Sequence, residues 1–67
     1  MRMKPVYLTP EELADILRVH PETIRRSIRQ GKIRAQKVGR LWRIPWLECV
    51  RVVGDEVLLK SAVGREE

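Results

Sequence analysis

One cysteine and one histidine stand in the 67 residues. Cys49 on its own excludes an internal disulfide, and a small domain without one suits a reducing compartment. With one His and one Cys, no usual zinc site can be assembled. The chain also lacks a glycine-rich phosphate loop and any His set beside a nucleophile. That speaks against an enzyme, and no cofactor or metal is expected. Cys49 lies in an apolar run and reads as a small core residue rather than a nucleophile. No apolar stretch approaches the roughly 18 residues of a membrane span, and the first residues carry no signal-peptide core. A soluble, cytoplasmic protein is expected. The scarcity with most consequence is that of acid in the middle: between Arg18 and Arg43 the only carboxylate is Glu22.

That middle segment holds nine cations (Arg18, Arg25, Arg26, Arg29, Lys32, Arg34, Lys37, Arg40 and Arg43), a net +8, whereas residues 1–17 come to −1 and residues 44–67 to −2. Positive charge concentrated in this way attracts nucleic acid and speeds encounter with it. A membrane surface would need an amphipathic helix with large apolar groups left exposed, and the apolar residues here look committed to a core. The length fits one domain. A domain of this size buries only about 60% of its unfolded surface and is marginal without a partner.

The chain is organised around residues 20–31. Pro21 suits a first helical position and Gly31 a helix stop. Ile24 and Ile28 lie one turn apart on one face. At about 100° per residue, Glu22, Arg26 and Arg29 point away from that spine, with Arg25 on the flank. Such a helix suits a polyanion. The competing reading is a surface helix whose arginines only aid solubility.

Upstream, residues 1–5 read as a flexible arm, in which Arg2 and Lys4 either reach DNA or fray. A short extended piece is expected at Val6-Tyr7. The first helix spans 10–17. Thr9 and Glu12 form a capping box, Pro10 starts the helix, and Leu8 and Leu13 make a hydrophobic staple. Leu13, Ile16 and Leu17 form its buried stripe, and Ala14 allows close approach of another helix. Its acidic start (Glu11, Glu12, Asp15) suits the helix dipole and makes it a support rather than a reader of bases. Arg18 to His20 can only be a sharp corner. Val19 is placed as a staple against Ile24, and His20 either caps the second helix, 21–30, or meets a phosphate.

After Gly31 the period changes from 3.6 to 2. A hairpin is expected over 33–44, with Gly39-Arg40 as a type II′ turn. Its register sets Val38 against Leu41, Lys37 against Trp42, Gln36 against Arg43 and Ala35 against Ile44. Ile33, Ala35, Trp42 and Ile44 face the core, with the Lys37 stem over Trp42, while Arg34, Gln36 and Arg43 face outward. Residues 45–63 close the core in one of two ways. In the first, a helix to Val53 turns Trp46, Leu47, Val50 and Val53 inward, and Asp55 caps a last helix carrying Val57, Leu58, Leu59 and Ala62. In the second, 50–59 is another hairpin turning at Gly54-Asp55. Residues 64–67 read as a frayed tail, so the single domain is 6–63.

Four blocks occur in order: Tyr7 to Ala14 (YLTPEELA), Val19 to Ile24 (VHPETI), Gly31 to Ile33 (GKI) and Val38 to Pro45 (VGRLWRIP). Together they resemble the excisionase-family helix-turn-helix domain, which is related to the DNA-binding domain of the MerR regulators. The resemblance covers about residues 6–53. It implies a mainly α fold with a small β-hairpin, the winged helix-turn-helix. The helix of residues 21–30 would enter the major groove, and the wing would lie on the backbone or minor groove. Carried over position by position, the contacts are Glu22, Thr23, Arg25, Arg26 and Arg29 on the helix and Arg40 and Arg43 on the wing, with Lys32, Arg34 and Lys37 as flanking cations. The family usually has a polar capping residue after the proline matching Pro45. Here Trp46 follows, and 47–53 is more apolar than usual.

The expected partner is double-stranded DNA, with the chain nucleoid-associated in the cytoplasm. Because so short a helix reads only a few base pairs, self-association or cooperative binding on repeated sites is expected. An excisionase role, with a recombinase (integrase) partner, and a small transcriptional regulator both fit. A different class of reading is an interaction adaptor docking through the apolar C-terminal stretch, with incidental RNA affinity.

Overall fold

A computed structural model describes residues 7–63, so the N-terminal arm, Val6 and the C-terminal tail lie outside the described residues. The element order is β1 (Tyr7–Leu8), α1 (Pro10–Leu17), α2 (Pro21–Arg29), β2 (Gln36–Val38), β3 (Leu41–Pro45), α3 (Trp46–Val53) and α4 (Glu56–Val63). Among the described residues there are thus four helices and one small antiparallel sheet of order β1-β3-β2, against which α1 and α3 pack.

Local chemistry places the first two helices. Thr9 Oγ1 accepts from the Glu12 amide at 3.1 Å, and the Thr9 amide donates to Glu12 Oε1 at 2.9 Å. This reciprocal cap is typically worth ~1 kcal/mol. At the other end of α1, Arg18 takes a left-handed conformation (φ 60°), and its amide reaches back to the Ala14 and Asp15 carbonyls. That reversal makes the corner. Val19 in the corner is 40% exposed. His20 is the N-cap of α2, its Nδ1 accepting from the Glu22 amide at 3.0 Å.

The second helix ends one residue earlier than the sequence pattern suggests, at Arg29. Gly31 stands at φ 79°, its amide bonded to the Ile28 carbonyl, and the Lys32 amide donates to Ser27. This is a Schellman stop, which needs a left-handed residue at that position and so favours glycine.

The hairpin pairs Gln36 with Arg43, Lys37 with Trp42 and Val38 with Leu41, the register that the alternation requires. Two features differ from expectation. The wing strand starts at Gln36 and not at Ile33, because the Arg34 amide donates to the Glu48 carboxylate (3.0 Å) instead of joining a ladder. Ile44 is paired not with Ala35 but, on the other edge of β3, with Leu8, while Tyr7 faces Pro45. β1 therefore ties the start of the domain to the wing.

Leu8, Leu13, Ala14, Ile24, Ile28, Ile33, Ile44, Trp46, Cys49 and Leu59 form the core. Each large side chain among them contributes ~1.5–3 kcal/mol by leaving water. The two readings of 50–59 resolve in favour of helices. Asp55 Oδ1 accepts from the Val57 and Leu58 amides at 3.0 and 3.2 Å and so opens α4. Trp46 and Cys49 face inward at helical spacing. Leu47, expected in the core, is 81% exposed, because it is turned about 100° from Trp46 and further still from Cys49. Val57 and Leu58 are exposed as well, leaving Leu59 as the buried residue of α4. No side chain caps α3, in keeping with Trp46 where a polar residue would cap.

Candidate nucleic-acid interface

Because Ile24 and Ile28 are buried, the opposite face of α2 is turned to solvent. Thr23, Arg26 and Arg29 are exposed there, and Glu22 and Arg25 are half-buried. The arginines are not equivalent. Arg25 forms ion pairs with Glu11 on α1 and, at 3.7 Å, with Glu22. It therefore bridges the two helices. Arg29 Nη2 donates to Glu22 Oε2 at 2.6 Å. Arg26 has no ion pair with any described residue.

Glu22 is the focus of this face. The hydrogen bond from Arg29, opposed by partial desolvation and aided by the charges of Arg29, Arg25 and Arg26, holds its carboxyl below the usual range. It stays ionised at neutral pH and keeps Arg29 oriented. Solvent screens pairs as exposed as these, so a competing anion can open them.

The wing and its approach carry the other cations. Lys32, Arg34, Lys37, Arg40 and Arg43 are all exposed. Lys37 Nζ lies 5.4 Å from the centroid of the Trp42 ring, so its stem covers the indole while its charge stays wet. Arg40 sits at the tip beside Gly39, whose φ of 62° is the positive angle that a type II′ turn needs at its first position. Around the tip, Val38 and Leu41 are also exposed. Between the end of α2 and the base of the wing runs an open groove of about 450 Å³, floored by Ile28, Ala35 and Trp42 and bordered by Arg34.

Two residues that sequence reasoning did not assign to the site bind its linker from α3. Glu48 on α3 accepts the Arg34 amide and is ion-paired with Arg51, and Arg51 Nη2 donates to the Lys32 carbonyl at 2.9 Å. The Arg51 hydrogen bond, then the Arg34 amide, hold the Glu48 carboxyl below its usual range despite desolvation. Their i, i+3 spacing was visible in the sequence, but it could not reveal that the pair grips a distant linker.

Burial pushes the Cys49 thiol up to about 11, and its Sγ donates to the Ile44 carbonyl at 3.7 Å. It belongs to the core. Among the described residues, no group of three or more His, Cys, Asp or Glu is placed to hold a metal ion, and no helix is long and apolar enough to cross a membrane.

The arrangement has the parts of a duplex-binding face: a capped helix with its apolar spine turned in, a sharp left-handed corner behind it, and a basic hairpin beside it. Neither the curated proteins nor the solved structures compared with the chain give a match. A family model, described as a helix-turn-helix domain, matches residues 7–45, which run from β1 to the end of β3 and make up more than half of the chain. A match of that extent, over the same elements that build the basic face, makes this chain a member of the helix-turn-helix domain family and a DNA-binding protein.

Proposed function

We propose that the chain is a sequence-specific binder of double-stranded DNA that seats α2 in the major groove and lays the β2–β3 wing on the backbone or minor groove. The observation that carries this reading is the run of exposed cations across Arg26, Arg29, Lys32, Arg34, Lys37, Arg40 and Arg43, backed by a buried apolar spine. Phosphate contacts supply most of the affinity, and a few side chains on α2 read base edges. Arg26, without an ion pair, and Arg29, oriented by Glu22, are the base readers. Thr23 and Glu22 complete the helix face, and Arg25 holds α2 to α1. One copy reads only a few base pairs, so occupancy rests on several copies over repeated sites. The biological role is that of an excisionase-type architectural factor, working with a recombinase, or of a small transcriptional regulator acting in the cytoplasm.

Fluorescence polarisation with duplex DNA at several salt concentrations tests the reading. With about six phosphates neutralised, log affinity falls against log salt with a slope near −5. The double change Arg26→Ala, Arg29→Ala abolishes sequence preference; unchanged affinity in that variant rejects the reading.

A second reading has its own observation. Leu47, Val57 and Leu58 are more than half exposed on α3 and α4. An adaptor would use them to dock on a partner protein, with nucleic-acid affinity incidental. In that case Leu47→Ser changes partner binding and leaves DNA affinity as it was, and the wild-type salt slope is shallow.

A further inference from the structure

We infer that Glu48 and Arg51 are positioning residues for DNA binding, acting as a clamp on α3 that sets the angle of the wing. The inference rests on the reading of the wing as a DNA contact. Neither residue lies within the matched span 7–45.

The linker Lys32–Arg34 joins α2 to the wing and has no partner strand, so its backbone groups must be satisfied elsewhere. The Lys32 and Ile33 amides both donate to the Ser27 carbonyl, at 2.9 and 3.3 Å, which ties the linker to the end of α2. Two other backbone groups of the linker turn to α3 instead: the Lys32 carbonyl accepts from Arg51, and the Arg34 amide donates to Glu48. Glu48 and Arg51 are also paired with one another. The Glu48 side chain is only 12% exposed, which shields it from solvent competition.

The topology gives these bonds leverage. From Arg34 the chain runs out along β2, turns at Gly39-Arg40, and returns along β3, which passes into α3 with no intervening loop. The Arg34–Glu48 bond spans 14 residues and the Lys32–Arg51 bond 19, so together they close the wing into a loop at its base. With the clamp shut, the wing and the two linker cations Lys32 and Arg34 keep one orientation relative to α2. With it open, Ile33 remains as an apolar anchor and β1 still holds β3, but the chain from Arg34 into β2 loses its tie to α3. Pre-organisation of this kind lowers the ordering cost of binding. It acts on the wing contacts and not on those of α2.

The experiment uses the full chain and a duplex enriched by the wild-type protein from a random-sequence pool, with affinity read by polarisation. Glu48→Ala weakens binding about tenfold, the size of an ordinary pairwise coupling. In an Arg40→Ala background the same change costs less than it does in the wild type, because part of the wing contact is already lost. In an Arg26→Ala background it costs its full amount. Glu48→Gln, which retains an acceptor for the Arg34 amide, recovers most of the affinity. Arg51→Met repeats the pattern and carries the cycle if Glu48→Ala melts the fold by circular dichroism. A loss from Glu48→Ala that is as large with Arg40→Ala as without it overturns the inference, and so does no loss at all in a folded variant. If Arg40→Ala itself costs nothing, the wing contact fails and the clamp with it. If Arg40→Ala is costly and both clamp variants are silent, the clamp alone fails.

Discussion

Truncating Arg26 to alanine separates DNA recognition from folding. The side chain is exposed and has no ion pair with a described residue; its charge is felt only as a minor contribution to the low pKa of Glu22. Removing it changes folding stability by less than about 0.5 kcal/mol, the ordinary range for a surface position. If it pairs with a guanine edge, the loss of discrimination is about 1–3 kcal/mol, or roughly 5- to 150-fold in the specific dissociation constant. The salt slope then stays close to that of the wild type, because a base contact releases no counterion. A phosphate contact would instead lower affinity for every sequence alike and reduce the slope by about one. Polarisation against the enriched duplex and against a scrambled one, each at three salt concentrations, distinguishes these cases. A thermal melt of the free protein accompanies them. A change of less than twofold on the specific duplex with the melting temperature unaltered refutes Arg26 as a reader. A fall in melting temperature refutes the view that it has no structural role.

Gly39→Ala forces a Cβ into a left-handed turn position (φ 62°) and destabilises the wing by about 1 kcal/mol, seen as a lower melting temperature and weaker DNA binding. The space around Gly39 is open, so strain and not collision is the cause. The buried Cys49 thiol, pushed up to about 11, reacts with iodoacetamide at pH 8 far more slowly in the native protein than in guanidinium; equal rates would contradict its placement in the core. Glu48 has a folded pKa below its ordinary value, so its contribution is complete above the usual glutamate range of about 4.3 and is lost as pH falls through the lower folded value. Acid titration of Glu48→Ala therefore shows a smaller loss of stability than the wild type does as the pH falls below the usual glutamate range.

The features legible in the sequence are those set by neighbours in the chain. The Thr9–Glu12 capping box, the His20 cap, the stop at Gly31 and the Lys37–Trp42 register depend on residues a few positions apart, and each appears in the structure. What escaped was set by residues far apart. The pairing of Leu8 with Ile44 could not be read from two residues without periodicity. The grip of Arg51 on Lys32 joins positions 19 apart. Leu47 was misplaced because a helix this short leaves the apolar stripe underdetermined until its packing partner is known. Within the basic face, charge and outward direction were visible. The division of labour among the arginines was not, because it depends on Glu11 reaching across from α1 to Arg25.

The most direct test of DNA binding through this face is an NMR titration of the ¹⁵N-labelled chain with the enriched duplex. The expected result is that amide shifts concentrate between Glu22 and Arg29 and along the wing from Lys32 to Arg43, with α4 unmoved. Shifts centred on Leu47, Val57 and Leu58, with the wing silent, would contradict it.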